Sequence, residues 1–201
     1  MPNVLQQIDA EMAAMVEGIA PALVRVHSGR GGIGAATIWH PDGLIVTNAH
    51  VVQRYPVTVT LADGRSLPAR LLACDTARDL AALVVDATAL PTVKLGDSRN
   101  LQPGQWVMAL GHPWGVLGSV TAGVVIGVGP DWPEMPGSGS EWIVASLPLR
   151  PGYSGGPLVD AYGRLVGINA MMRGPHVAMA VPVHVATAFL REALASWEVA
   201  A

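Results

Sequence analysis

Apolar and polar positions change their spacing twice along the chain. Val4, Leu5, Ile8, Met12, Met15, Val16 and Ile19 recur every three to four residues, the spacing of an amphipathic helix. Asn3 and Gln6 stand where a capping residue and its return partner belong, and Gly18 and Pro21 close the segment. From Ala22 the period shortens. Segments 22–27, 35–39, 44–47, 57–61, 66–74, 81–86 and 93–94 read as short strands, parted by turn signals such as Pro41-Asp42-Gly43 and Ala62-Asp63-Gly64. A second set, 105–110, 120–128, 141–146, 157–159, 165–168 and 177–181, follows the Pro103-Gly104 junction, with Asp160-Ala161-Tyr162-Gly163 as a hairpin turn. The stretch 183–198 returns to helical spacing, with Val185, Phe189, Leu190, Leu194 and Trp197 on one side.

This order predicts an all-β chain of two six-stranded antiparallel β-barrels, with an N-terminal and a C-terminal helix. Its units are the helix 1–20, a first barrel 21–104, and a second barrel with the final helix, 105–201. No sustained strand–helix alternation appears, which disfavours a parallel α/β sheet. The N-terminal helix is expected to pack on its own domain, contact with a neighbouring subunit being the alternative. The stretch 129–140 is the most loop-like. It is expected to be mobile and to border a substrate cleft, with Trp132 the exposed tryptophan.

Composition agrees. Of 201 residues 51% are hydrophobic and 13% charged, so a sizeable core is available, and Gly 23 and Pro 16 suit many tight turns. A net charge of −3 without a block of like charges argues against a nucleic-acid or anionic-membrane surface. The one cysteine, Cys74, cannot form an intramolecular disulfide and is expected in the core rather than as a nucleophile. No apolar run approaches the ~20 residues needed to cross a bilayer. The first residues lack the basic start and apolar stretch of a secretory signal, so a soluble, cytoplasmic protein is expected. A mature exported form would look the same.

Candidate chemistry starts at Ser154, in Arg150-Pro-Gly-Tyr-Ser-Gly-Gly-Pro157. A serine hydroxyl is a poor nucleophile until a neighbouring base takes its proton. Glycines on both sides let the backbone turn sharply and aim the Gly152 and Ser154 amides at a developing oxyanion. A Gly-rich hairpin with a locally bonded serine has the same composition. Gly152-x-Ser154-x-Gly156 also fits the nucleophile elbow of α/β-hydrolases, which needs its acid and histidine later in the chain, Asp160 with His176 or His184. An elbow also leads into a helix, whereas Ser154 leads into the strand-like 157–159. Upstream, His50 ends the β-rich run Ile45-Val-Thr-Asn-Ala-His50, where a neutral imidazole accepts a serine proton and a lone structural histidine is the plainer alternative. Asp79 precedes an apolar strand, and a carboxylate entering a core needs a partner such as an imidazole N–H. Asp75 is expected to be a turn residue.

Together these segments resemble the trypsin-like serine peptidases in the order His, Asp, Ser. The likeness is to the HtrA/Deg protease domain over nearly all of residues 22–190. It extends through Thr47-Asn-Ala-His50-Val-Val, Asp79-Leu-Ala, Leu95-Gly-Asp-Ser98, Ala109-Leu-Gly-His-Pro-Trp-Gly115, Val120-Thr-Ala-Gly-Val124, Gly152-Tyr-Ser-Gly-Gly156 and Leu165-Val-Gly-Ile-Asn169. The resemblance implies a serine endopeptidase acting through an acyl-enzyme. His50 would be general base, Asp79 its orienting carboxylate, Ser154 the nucleophile, and the Gly152 and Ser154 amides the oxyanion hole, without metal or cofactor. A non-catalytic, chaperone-like peptide binder and an esterase are the alternatives on the same triad. The implied partners are protein or peptide substrates, not nucleic acid or membrane, and the implied assembly is a homotrimer, with a monomer as the alternative. Three departures stand out. Tyr153 replaces the family's usual asparagine, His112-Pro-Trp-Gly115 replaces Asn-Pro-Phe-Gly, and no PDZ module is expected after the final helix.

In such a fold the side-chain pocket is built from about 147–151, 169–172 and 177–179. None of these carries an acidic residue, and Leu149, Ala170, Met171, Met172 and Met179 suggest an adaptable apolar pocket for small or medium aliphatic residues, core filling being the plainer role of the methionines. His27, His40, His112, His176 and His184 show no metal-ligand spacing.

Overall fold

A computed structural model describes residues 3–29, 32–130, 132–133 and 139–200. Helix α1 (Val4–Ile19) opens with reciprocal capping: Gln6 N donates to Asn3 Oδ1 and Asn3 N to Gln6 Oε1, both at 2.9 Å. Its C-terminal half packs inward, and Met15 and Ile19 lie over Gly163 of the Asp160–Gly163 hairpin. Val4, Leu5 and Ile8 at the other end are exposed.

Six strands follow, β1 (Leu23–Ser28), β2 (Gly32–His40), β3 (Leu44–Thr47), β4 (Val57–Thr60), β5 (Ser66–Asp75) and β6 (Leu80–Val85). They close antiparallel in the order β1-β2-β3-β6-β5-β4. The second six are β7 (Trp106–Gly111), β8 (Ser119–Gly129), β9 (Trp142–Ser146), β10 (Pro157–Asp160), β11 (Leu165–Met172) and β12 (Val177–Pro182). These close as β10-β11-β12-β9-β8-β7, so each barrel satisfies its own strand edges. The expected two-barrel architecture is the one observed.

Residues 93–94 do not form a strand. β11 is already paired with β10 and β12, and only its first residue, Leu165, remains open to the connecting segment, which meets it at a single parallel bridge from Leu95. Helix α2 (Val183–Ala200) buries Val183, Ala186, Phe189 and Leu190 and packs on β11 and β12 as well as on β5 and β6, so it spans both barrels. Leu194 is instead exposed, and the Trp197 side chain lies outside the described residues.

Two local expectations are corrected. Cys74 is exposed, because it sits at an outward position of β5 within the apolar run Leu71-Leu-Ala-Cys74. Trp132 is half-buried: its indole lies over Gly127 and its Nε1–H donates to Gly129 O (2.9 Å). The exposed tryptophans are Trp114 and Trp106, at 72% and 57%. The rest of the 129–140 expectation falls partly on 131 and 134–138, outside the described residues.

Candidate active site

Strand β3 delivers His50 into a short 3-10 turn, Ala49–Val51, at the seam between the barrels. Asp79 precedes β6, the strand paired with β3, so two neighbouring strand ends bring the two residues together. Asp79 holds a left-handed φ of +53° and its carbonyl accepts Asn48 Nδ2–H (2.9 Å). Its carboxylate accepts the His50 backbone N–H at 3.1 Å through Oδ1. It also faces the imidazole Nδ1, at 2.8 Å through Oδ2 and 3.0 Å through Oδ1. A carboxylate only accepts, so in the neutral ring the proton sits on Nδ1 and the lone pair on Nε2. Asp79 is 13% exposed and His50 40%, which leaves the acid sheltered and the ring open to the cleft.

Ser154 lies between β9 and β10 and is fastened to both barrels. Its carbonyl accepts Ala35 N–H of β2 (2.9 Å), and the next residue, Gly155, accepts Thr37 Oγ1–H through its carbonyl and donates its amide to Asn169 O. Gly155 has φ +86°, and a Cβ there would strike Ala35 O and Thr47 Oγ1, so only glycine fits this crossing. Gly152 has φ +105°, with its carbonyl accepting His112 N–H (2.9 Å). The Gly152 and Ser154 amides meet no acceptor among the described residues. The Ser154 hydroxyl donates to Ala170 O (2.8 Å), and no hydrogen bond joins it to His50.

His50 and Ser154 face one cleft of about 590 Å³. Its apolar wall includes Leu149, Ala170, Met171 and Met172, and Leu149 N–H donates to Met172 Sδ (3.2 Å). Met179 does not line it: β12 is buried on both faces, and Met179 packs in the core opposite Val144 and Met171. Ile33, Val51 and Arg150 also line the cleft. Val51 and Arg150 lie within the stretches quoted around His50 and Ser154, though no role was read for them, and Ile33 belongs to no singled-out segment.

Other titratable groups separate from this site. Asp160 accepts Tyr162 and Arg164 amides and pairs with Arg164, closing the hairpin turn, so it is no partner for Ser154. Asp75 accepts the Ala77 and Arg78 amides as a turn residue. His184 joins Ser98 Oγ through Nδ1 (2.7 Å) and Glu141 through Nε2 (2.6 Å), a second serine–histidine–acid row that sequence reasoning missed. Ser98 is fully buried. Burial, and secondarily Arg25, depresses the His112 imidazole to about 4. Partial desolvation, then the Asp75 and Asp79 carboxylates, push the Cys74 thiol up, away from nucleophilic character. Among the described residues no cluster of three or more His, Cys, Asp or Glu could hold a metal ion.

The trypsin-like peptidase domain model matches residues 34–168. Two relatives are HhoB of Synechocystis sp., named as a serine protease, and a DegP-like protein of Halomonas elongata, named as a periplasmic serine endoprotease. HhoB is 37% identical over 78% of this chain and 38% of its own length, the DegP-like protein 40% identical over 78% and 34%. The chain therefore spans little more than a third of either relative. Among solved structures, the HtrA-type protease AlgW with a tripeptide superposes with a TM-score of 0.83 and 32% identity, over 89% of this chain and 62% of that one. The expected cytoplasmic location is corrected: the Halomonas elongata relative and a similar Pseudomonas fulva protein are named periplasmic serine endoproteases, which points to export. Residues from Val4 onward that entered that expectation form the amphipathic α1. Among the described residues no helix is long and apolar enough to cross a membrane.

Proposed function

The chain belongs to the trypsin-like serine peptidases of the HtrA type, and on that premise we propose that it is a serine endopeptidase acting through His50, Asp79 and Ser154. One observation carries the reading: an imidazole held at Nδ1 by a sheltered carboxylate shares its cleft with Ser154 and two unpartnered amides. In the reaction the Ser154 hydroxyl turns from Ala170 O toward His50 Nε2, which takes its proton as Oγ attacks the peptide carbonyl. Asp79 stabilises the resulting imidazolium without taking a proton. The Gly152 and Ser154 amides receive the oxyanion, where one donor is worth roughly 3–4 kcal/mol. His50 returns its proton to the leaving amine, and water, deprotonated by the same ring, hydrolyses the acyl-enzyme. The apolar wall of Leu149, Ala170 and Met172 favours small or medium aliphatic residues before the scissile bond. We extend the proposal to a homotrimer, with a monomer as the alternative that a sizing measurement decides.

A second reading, a latent peptide-binding protein, draws on the Ser154 hydroxyl donated to Ala170 O instead of His50. A fluorophosphonate probe distinguishes the two. Covalent mass on the Ser154 peptide, lost in Ser154→Ala, is expected of the peptidase; peptide binding without labelling would establish the latent form.

A further inference from the structure

Arg150 lines the cleft two residues before Gly152, and its guanidinium lies 5.1 Å from the centroid of the Trp114 ring. Trp114 has φ +52° and ψ 24°, a left-handed conformation that a bulky residue adopts only when its surroundings impose it. The indole is nevertheless 72% exposed, so it fills no core. What it does touch is the arginine. Stacking occupies the face of a guanidinium and leaves its N–H edge free, in the fork that matches a carboxylate. Among the described residues Arg150 has no carboxylate partner, whereas Arg65 and Arg164 each have one and Arg78 has two. No acidic residue lines the cleft among those described.

We propose that Arg150, held on Trp114, is the anchor for a substrate carboxylate, so that the preferred peptide carries an Asp or Glu within a few residues of the scissile bond. This specificity rests on the peptidase reading and adds a charge requirement to its aliphatic pocket. Two features carry the assignment. The cation is fixed in place before substrate arrives, which spares the ordering of a long side chain on binding. It is also exposed at a cleft whose described lining holds no carboxylate, so its charge draws in an anionic chain.

The test uses matched peptides that differ only as Glu or Gln, scanned from the third residue before to the third after an aliphatic cleavage site. At one position kcat/KM for Glu over Gln is expected to be about 5- to 10-fold at low salt, shrinking toward one near 1 M salt. Arg150→Gln removes that ratio whatever general loss it brings, and Trp114→Leu reduces it. A ratio near one at every position, or one that survives Arg150→Gln, overturns the proposal. Binding of the same pairs to the Ser154→Ala protein, read by fluorescence anisotropy, separates this failure from that of the peptidase reading. No cleavage with tighter Glu binding keeps the anion site and rejects the enzyme. Equal cleavage of both peptides keeps the enzyme and rejects the anion site, and neither cleavage nor binding rejects both.

Discussion

Asp79 carries two tasks at once: its carbonyl is tied to Asn48 and its carboxylate to both the backbone and ring of His50. Asp79→Asn keeps a hydrogen-bonding side chain but offers an amide N–H as well as a carbonyl to Nδ1, which favours the wrong imidazole tautomer. Turnover is expected to fall about 10⁴-fold with the fold intact, read by kcat and circular dichroism together. Ser154→Ala is expected to cost more, on the order of 10⁶-fold. His112 provides a stability prediction with a definite sign. Its pKa is depressed in the folded state to about 4, below its ordinary 6.5, so the unfolded chain binds the proton first. The contribution is present above about pH 6.5 and is lost as pH falls toward 4. It amounts to about 3 kcal/mol, and urea melts at pH 7 and pH 4 should show that loss in the parent and not in His112→Asn. At this scale the sequence was most readable where chemistry concentrates. His50, Asp79 and Ser154 each had a plainer structural reading alone and became candidates only through their segments taken together; the structure adds the His50–Asp79 contact and the cleft that His50 shares with Ser154. Cys74 and Met179 were harder, because unbroken apolar runs hide the phase of a strand and so which face each residue takes.

Among the elements, α2 has a reach its amphipathic pattern did not reveal. Arg78, in the turn before Asp79, donates to Asp75 Oδ2 through Nε (2.6 Å) and to both oxygens of Glu192 on α2 (3.2 and 2.5 Å), with its guanidinium 5.5 Å from the centroid of the Phe189 ring. Helix α2 thus steadies the loop that carries Asp79. The Glu192 and Asp75 side chains push the Arg78 guanidinium pKa further up. Arg78→Ala should lower the melting temperature by about 2–4 °C, the equivalent of about 1 kcal/mol in a chain this size, as scanning calorimetry would register. Strand positions were readable to within a residue or two at most ends, since Gly, Pro and Asp punctuate them. The segment 93–94 failed because local β-propensity says nothing about whether a neighbouring edge is vacant, and β11 had only Leu165 to offer.

For the whole molecule, the site exists only where two closed barrels touch. Chain order hinted at this convergence, but no periodicity encodes the distance between a residue of β2 and one before β10. The joint itself is narrow: Ala35 and Thr47 lie against Gly155 with no room for a methyl group. Gly155→Ala should therefore destabilise the protein by more than about 4 kcal/mol or prevent folding, measured by denaturant unfolding or soluble yield. The Ser98–His184–Glu141 row gives the molecule an internal control for reactivity. It repeats the atom types and short spacings of a hydrolytic centre but seals its hydroxyl away from solvent. The row also exchanges the two imidazole nitrogens, with its serine at Nδ1 and its acid at Nε2, so a serine-directed reagent that spares Ser98 on the intact protein would show that three such side chains in a line do not by themselves make a hydroxyl reactive.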